Sequence, residues 1–217
     1  MNILPVRTVH ARPKCLPPDG FSANTSPFHF KVIHSMQTYI SILRGINVSG
    51  QRKILMADLK ALYESLGLSD VRTYIQSGNV VFATDMTASN TDLARTLEQA
   101  IAKQYLFNVP VIVRNTAEMR QILETNPFAR REGIQTEKLH VTFLAEAPPV
   151  KELEKVRALN YSPDEFVISG TEVFLHCPGG YGETKLSNKF FENKLKVSAT
   201  TRNWNTVNKL VELATTL

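Results

Sequence analysis

Cysteine is almost missing. The chain of 217 residues carries two, Cys15 and Cys177. One lies in a proline-rich N-terminal stretch, so no disulfide framework is available. A reducing, cytoplasmic setting fits that usage. Long apolar runs are also lacking: none approaches the roughly 20 residues a membrane-spanning helix needs. Histidine is sparse. His10, His29 and His34 fall within the first 35 residues, and His140 and His176 share no ligand spacing with Cys177. Neither a metal nor a redox cofactor is therefore expected. Nor is there a strong excess of one charge. The formal net charge is +5, but residues 1–35 set Arg7, Arg12, Lys14 and Lys31 against Asp19 alone, which leaves +2 for residues 36–217. Basicity concentrated at one end is poor evidence for nucleic-acid binding.

Residues 1–35 differ from all that follows. Pro5, Pro13, Pro17, Pro18 and Pro27 interrupt any period, and no apolar segment of the kind that drives secretion is present. The composition predicts a disordered tail, or a translation start at Met36. From Met36 a regular pattern begins. Tyr39–Leu43 reads as a strand. Leu55, Leu59, Leu62 and Leu66 share one helical face closed by Gly67. Val71–Ile75 and Val80–Ala83 read as strands joined by Gln76-Ser77-Gly78-Asn79, where Gly accepts a positive φ. Leu93, Leu97 and Ile101 mark a helix, Val109–Val113 a strand, and Met119–Leu123 a short helix.

The second half repeats this order. Leu139–Leu144 is a strand, and Pro148-Pro149 opens a helix carrying Val150, Leu153 and Val156. Phe166–Ile168 and Val173–Leu175 pair, with His140 and His176 expected on strands at different edges. Leu186, Phe190 and Leu195 mark a helix, Val197–Thr201 a strand. Asn203 or Asn205 caps a last helix carrying Val207, Leu210 and Val211. Ser77-Gly78-Asn79-Val80-Val81-Phe82 reads against Ser169-Gly170-Thr171-Glu172-Val173-Phe174, and Val109 to Asn115 against Val197 to Asn203. The predicted fold is α+β: two tandem ferredoxin-like halves, βαββαβ plus a helix, spanning 36–126 and 127–217 and related by internal duplication. The expected core includes Leu55, Leu59, Leu62, Ile75, Val81, Leu97, Val111, Val141, Phe143, Val173, Phe190 and Leu210.

The halves differ in one place. Leu43 to Ser77 spans 34 positions and Leu144 to Ser169 spans 25, so the first half carries nine extra residues, assigned to Gly45–Lys53. A polar, glycine-bearing insertion in a repeated scaffold is either a functional loop or a plain surface loop.

Three segments carry a resemblance: Leu43 to Gly50 (Leu-Arg-Gly-Ile-Asn-Val-Ser-Gly), Thr73 to Phe82, and Thr200 to Val207. Together they resemble the bacterial family catalogued as domain of unknown function 1697, over Met36 to about Leu217. Ser49 departs from the family, which usually has Gly there. The resemblance implies an α+β fold with ferredoxin-like halves and no assigned function, and it supplies no catalytic residues.

The residues themselves suggest an anion site. Arg44, Lys53, Lys185 and Arg202 sit at loops or helix starts, and Gly45, Asn47, Ser49 and Gly50 give a loop whose N–H groups can face a phosphate or carboxylate. Gly179, Gly180 and Gly182 lead to Lys185; Asn203 and Trp204 follow Arg202. The candidate ligand is a nucleotide or phosphorylated metabolite, bound at Gly45–Lys53. The alternative reading makes Arg44 and Arg202 structural and Trp204 a packing residue. A protein-interaction module without catalysis is the second functional reading. RNA binding through sheet-borne aromatics is weaker, because the central strand offers only Phe82. The sequence fixes neither a reaction nor an oligomeric state.

Overall fold

Tyr39 to Leu43 bury every side chain, as a strand covered on both faces must. The structure, a computed structural model, describes residues 35–48 and 50–217; residues 1–34 of the expected tail and Ser49 lie outside the described residues. The first half runs β1 (Gln37–Leu43), α1 (Met56–Ser65), β2 (Ser69–Tyr74), β3 (Asn79–Thr84), α2 (Asn90–Tyr105), β4 (Val111–Asn115) and α3 (Thr116–Thr125). After a single 3-10 turn at Thr136–Lys138, the second half runs β5 (Leu139–Leu144), α4 (Val150–Arg157), β6 (Glu165–Ser169), β7 (Glu172–His176), α5 (Asn188–Leu195), β8 (Ala199–Asn203) and α6 (Trp204–Thr215). The result is an α+β structure of two similar halves. Each has a four-stranded sheet, ordered β2-β3-β1-β4 and β6-β7-β5-β8, with all neighbours antiparallel.

Period-two alternation divides the core into three. Leu43, Val80, Phe82 and Val113 face α1 and α2, where Leu59, Tyr63, Leu93 and Leu97 meet them. Leu144, Val173, Leu175 and Ala199 face Val156 of α4 and Phe191 and Leu195 of α5. The opposite faces, with Ile40, Ile42 and Val81 of one sheet and Val141, Phe143 and Phe174 of the other, share a central core with Met119 of α3 and with Val207 and Leu210 of α6. α6 contacts strands of both sheets. The central strands are therefore covered on both sides, and β3 and β5 are buried along their whole length.

Several expectations are corrected. Leu55 is 70% exposed, because it precedes α1 in extended conformation and does not enter its inner face. Ile75 is 49% exposed, because it begins the β2–β3 turn at φ +49°. Leu62 and Phe190 are only half-buried; Tyr63 and Phe191 take the core positions. His140 and His176 lie on the adjacent central strands β5 and β7, not at different edges. The visible repeat is also one residue out of phase around its turn. Ile42 pairs with Asn79 and Phe143 with Glu172, so Val81, not Phe82, is the counterpart of Phe174. A slip of one residue reverses the face: Phe82 belongs to the α1–α2 core and Phe174 to the central one. The extra residues of the first half are correspondingly split. The connection after β1 runs 44–55 against 145–149 after β5, and the turn 75–78 is matched by only 170–171.

Candidate functional site

The loop after β1 folds on itself. Val48 bridges to Gln51, and the Asn47 amide nitrogen donates to the Arg52 carbonyl at 3.2 Å. Asn47 adopts φ +57°, a left-handed conformation that Asn tolerates better than most residues. Its side chain closes the loop: Nδ2 donates to the carbonyls of Ile54 and Gln76, each at 2.9 Å, and Oδ1 accepts from the Ile54 amide at 2.9 Å. Ile46 plugs the loop into the core. Gly78, at φ +77°, lies under it; a Cβ there would stand 2.7 Å from Leu43 Cβ and 2.8 Å from Ile46 Cδ1. The loop and the β2–β3 turn are thus one folded unit.

Arg202 of β8 reaches into this unit from the other half. Nε donates to Asn79 Oδ1 at 2.6 Å, Nη2 to the Leu43 and Ser77 carbonyls at 2.7 and 2.8 Å, and Nη1 to Thr200 Oγ1 and the Thr201 carbonyl at 3.0 and 2.8 Å. All five guanidinium N–H groups are engaged within the protein. Burial pulls its pKa down to about 10, which leaves it charged at neutral pH. Arg202 joins all three segments that carried the resemblance. Arg114 of β4, which the sequence reading passed over, mirrors it. Nε donates to Glu172 Oε1 at 2.9 Å, and Nη2 to the Leu144 carbonyl at 2.7 Å and to that of Thr171 at 3.4 Å. The aligned Arg-Asn pairs, Arg114-Asn115 and Arg202-Asn203, were the signal that could have found it.

The other candidates part company. Arg44 forms an ion pair with Glu192 of α5. Asn203 is the N-cap of α6, accepting from the Thr206 amide at 2.8 Å. Trp204 is buried in the central core. Lys185 is exposed on the loop between β7 and α5. Gly45 sits beneath the Arg52 guanidinium. Asn47, Gly50 and Lys53 do come together. With Gln76, Ile54, Leu55 and Met56 they line a cleft of about 330 Å³ at the start of α1, a helix without a side-chain cap. No residue of the second half lines this cleft.

A polar cluster occupies the second half under the loop 177–187. Tyr181 stacks on His140 with ring centroids 4.9 Å apart and donates to Thr201 Oγ1 at 3.0 Å; Thr201 in turn donates to Asn188 Oδ1 at 2.6 Å. Burial lowers the His140 pKa and raises that of Tyr181. Cys177 is buried and its thiol is pushed up to about 11, which disfavours the thiolate. Among the described residues no group of three potential metal ligands occurs, and no helix is long and apolar enough to cross a membrane.

Fold and loop together define a two-sheet α+β protein whose first half carries a folded loop above a strand end and turn held by an arginine from its second half. Residues 36–174 match the sequence profile of the family described as "Protein of unknown function (DUF1697)", and the chain belongs to that family. The match includes the first two segments of the resemblance and ends before the third. No curated protein sequence matches the chain. Among solved structures, it is similar to a conserved bacterial protein from Streptococcus pneumoniae, at 25% identity and a TM-score of 0.63, over 83% of this chain and 99% of that one.

Proposed function

We propose that the cleft between the Gly45–Lys53 loop and α1 binds a small anionic ligand, a nucleotide or phosphorylated metabolite. One observation carries this reading: Lys53, Asn47, Gly50 and the uncapped start of α1 border the same cleft. The first N–H groups of an uncapped helix and a lysine favour an anion. Lys53 is the charged side chain among the residues that line the cleft. Leu55 and Met56 add an apolar wall suited to a base or sugar face. In this reading Arg44 and Gly45 form the base of the loop. Arg202 holds the sheet end on which it stands, Asn203 caps α6, Trp204 packs in the central core, and Lys185 lies apart from the contact.

The reading is tested by thermal shift with ATP, GTP and sugar phosphates. A ligand at about 100 times its dissociation constant should stabilise by roughly 2.7 kcal/mol. Lys53→Ala should remove the shift and leave the melting of the free protein unchanged. If none of these anions moves the melt, the reading fails.

A second reading, an interaction module, draws on Val48, Leu55 and Ile75, which are 59%, 70% and 49% exposed on the same loop and turn. RNA binding by base stacking would require an open sheet face, whereas β3 and β5 are covered. We further read 36–126 and 127–217 as ferredoxin-like halves related by duplication. The strand orders, the antiparallel pairings and the paired arginines support this. A free, buried Cys177 is consistent with a cytoplasmic protein.

A further inference from the structure

The two halves handle the outer edge of their last strand alike up to one residue. The first N–H of β4, on Val111, donates to Glu98 Oε1 of α2 at 2.8 Å; the first N–H of β8, on Ala199, donates to Glu192 Oε1 of α5 at 3.0 Å. Both glutamates therefore fold back on an edge strand. Glu192 also receives the guanidinium of Arg44, the residue that follows β1. The residue that follows β5 is Ala145. The equivalence is fixed by hydrogen bonds, since the Arg44 amide donates to the Pro110 carbonyl and the Ala145 amide to that of Ser198, both at 2.9 Å.

Ala145 ends at Cβ, and a cleft of about 240 Å³ opens beside it along β4, walled by Glu98, Arg95, Glu146 and the strand from Val111 to Arg114. Arg114 is committed to Glu172 at 2.9 Å, whereas Arg95 is an exposed side chain 3.5 Å from Asp92. Glu98 and Glu146 are the wall's two acids. We propose that this cleft binds a guanidinium group from outside the chain, seated on Glu98 as Arg44 is seated on Glu192. A planar guanidinium can meet a carboxylate with two parallel N–H donations, which an ammonium cannot match. A free small molecule and an arginine side chain of a peptide carry the same group, and the chemistry is shared.

The test uses the full chain labelled with nitrogen-15. The Val111 amide, hydrogen-bonded to Glu98, is the reporter. Arginine amide should move it saturably and lysine amide more weakly. A short peptide with one arginine that binds more tightly than arginine amide identifies a protein source; equal binding identifies a small molecule. Glu98→Gln keeps the acceptor for Val111 and should abolish saturation. Ala145→Arg places the group in cis at an exposed position. It should shift the Val111 signal toward its ligand-saturated position and block further binding. The proposal is overturned if neither arginine ligand gives saturable movement. It is equally overturned if the movement persists undiminished in both variants.

Discussion

Arg202 binds Asn79 across the junction of the two halves, Nε to Oδ1 at 2.6 Å, in the place where Arg114 binds Glu172 in the opposite direction. Both arginines also donate to the last carbonyl of the other half's first strand, Leu43 or Leu144, at 2.7 Å. Replacing Arg202 by Ala should cost about 3–5 kcal/mol, because it strands buried acceptors. Arg114→Ala should cost about as much, leaving the Glu172 carboxylate unpaired. Urea denaturation of the two variants checks both values. A loss under about 1 kcal/mol for either would show that water takes over the arginine's acceptors.

Gly78→Ala should destabilise the protein by about 1–3 kcal/mol. The added methyl meets Leu43 and Ile46 closer than any real contact, at a positive φ. Gly67→Ala is the control: it shares the positive φ, at +81°, but its Cβ would meet nothing within 4 Å. Equal losses for the two would show that φ alone, not the loop above Gly78, sets the cost.

Asn47→Ala should loosen the loop without unfolding the protein. It removes three side-chain hydrogen bonds that hold Ile54 and Gln76. Hydrogen exchange at the Ile54 amide should accelerate strongly, while amides of β1 and β3 keep their protection. Uniform acceleration across the sheet would contradict a local clamp.

Burial holds the His140 pKa below its ordinary value of 6.5, with the Lys138 carbonyl opposing and the Tyr181 ring stacked against it. The folded imidazole therefore takes up a proton at lower pH than the unfolded one. Its contribution is complete above pH 6.5 and is lost as pH falls through that value toward the folded pKa. His140→Phe should flatten the melting temperature across this window. The Glu165 carboxyl, held low by Arg131 and then His176, loses its contribution only as pH falls below its ordinary 4.5. An unchanged profile in His140→Phe would assign the effect to another group.

Most elements were legible because their signals are local. The Leu139–Leu144 strand and the Asn203 cap follow from alternation and from capping chemistry, which act over a few residues. Leu55 and Ile75 failed because apolar period runs past an element's end: one sits before the helix begins, the other in a turn. Phe190 failed by one position, since the cap at Ser187 sets the α5 phase so that Phe191 points inward and Phe190 packs edge-on against Tyr161 at 5.2 Å. The Arg44, Lys53 and Arg202 grouping joined residues of like charge. Arg44 and Arg202 reach acceptors that only tertiary structure puts within range, as with Arg202 and Ser77, 125 positions apart. Charge type is visible in a sequence; which charges are already neutralised is not.

The crossed arginines give the chain the bonding pattern of a two-fold symmetric dimer, in which a residue of each subunit serves the other. Covalent linkage replaces a concentration-dependent encounter with one that never dilutes away. It also lets the two halves differ, since a change in one is not imposed on the other. A symmetric pair would place a long loop at both ends or at neither. Here a single loop of 44–55 stands opposite a short connection of 145–149, and the chain keeps one elaborated end and one open end on a common frame.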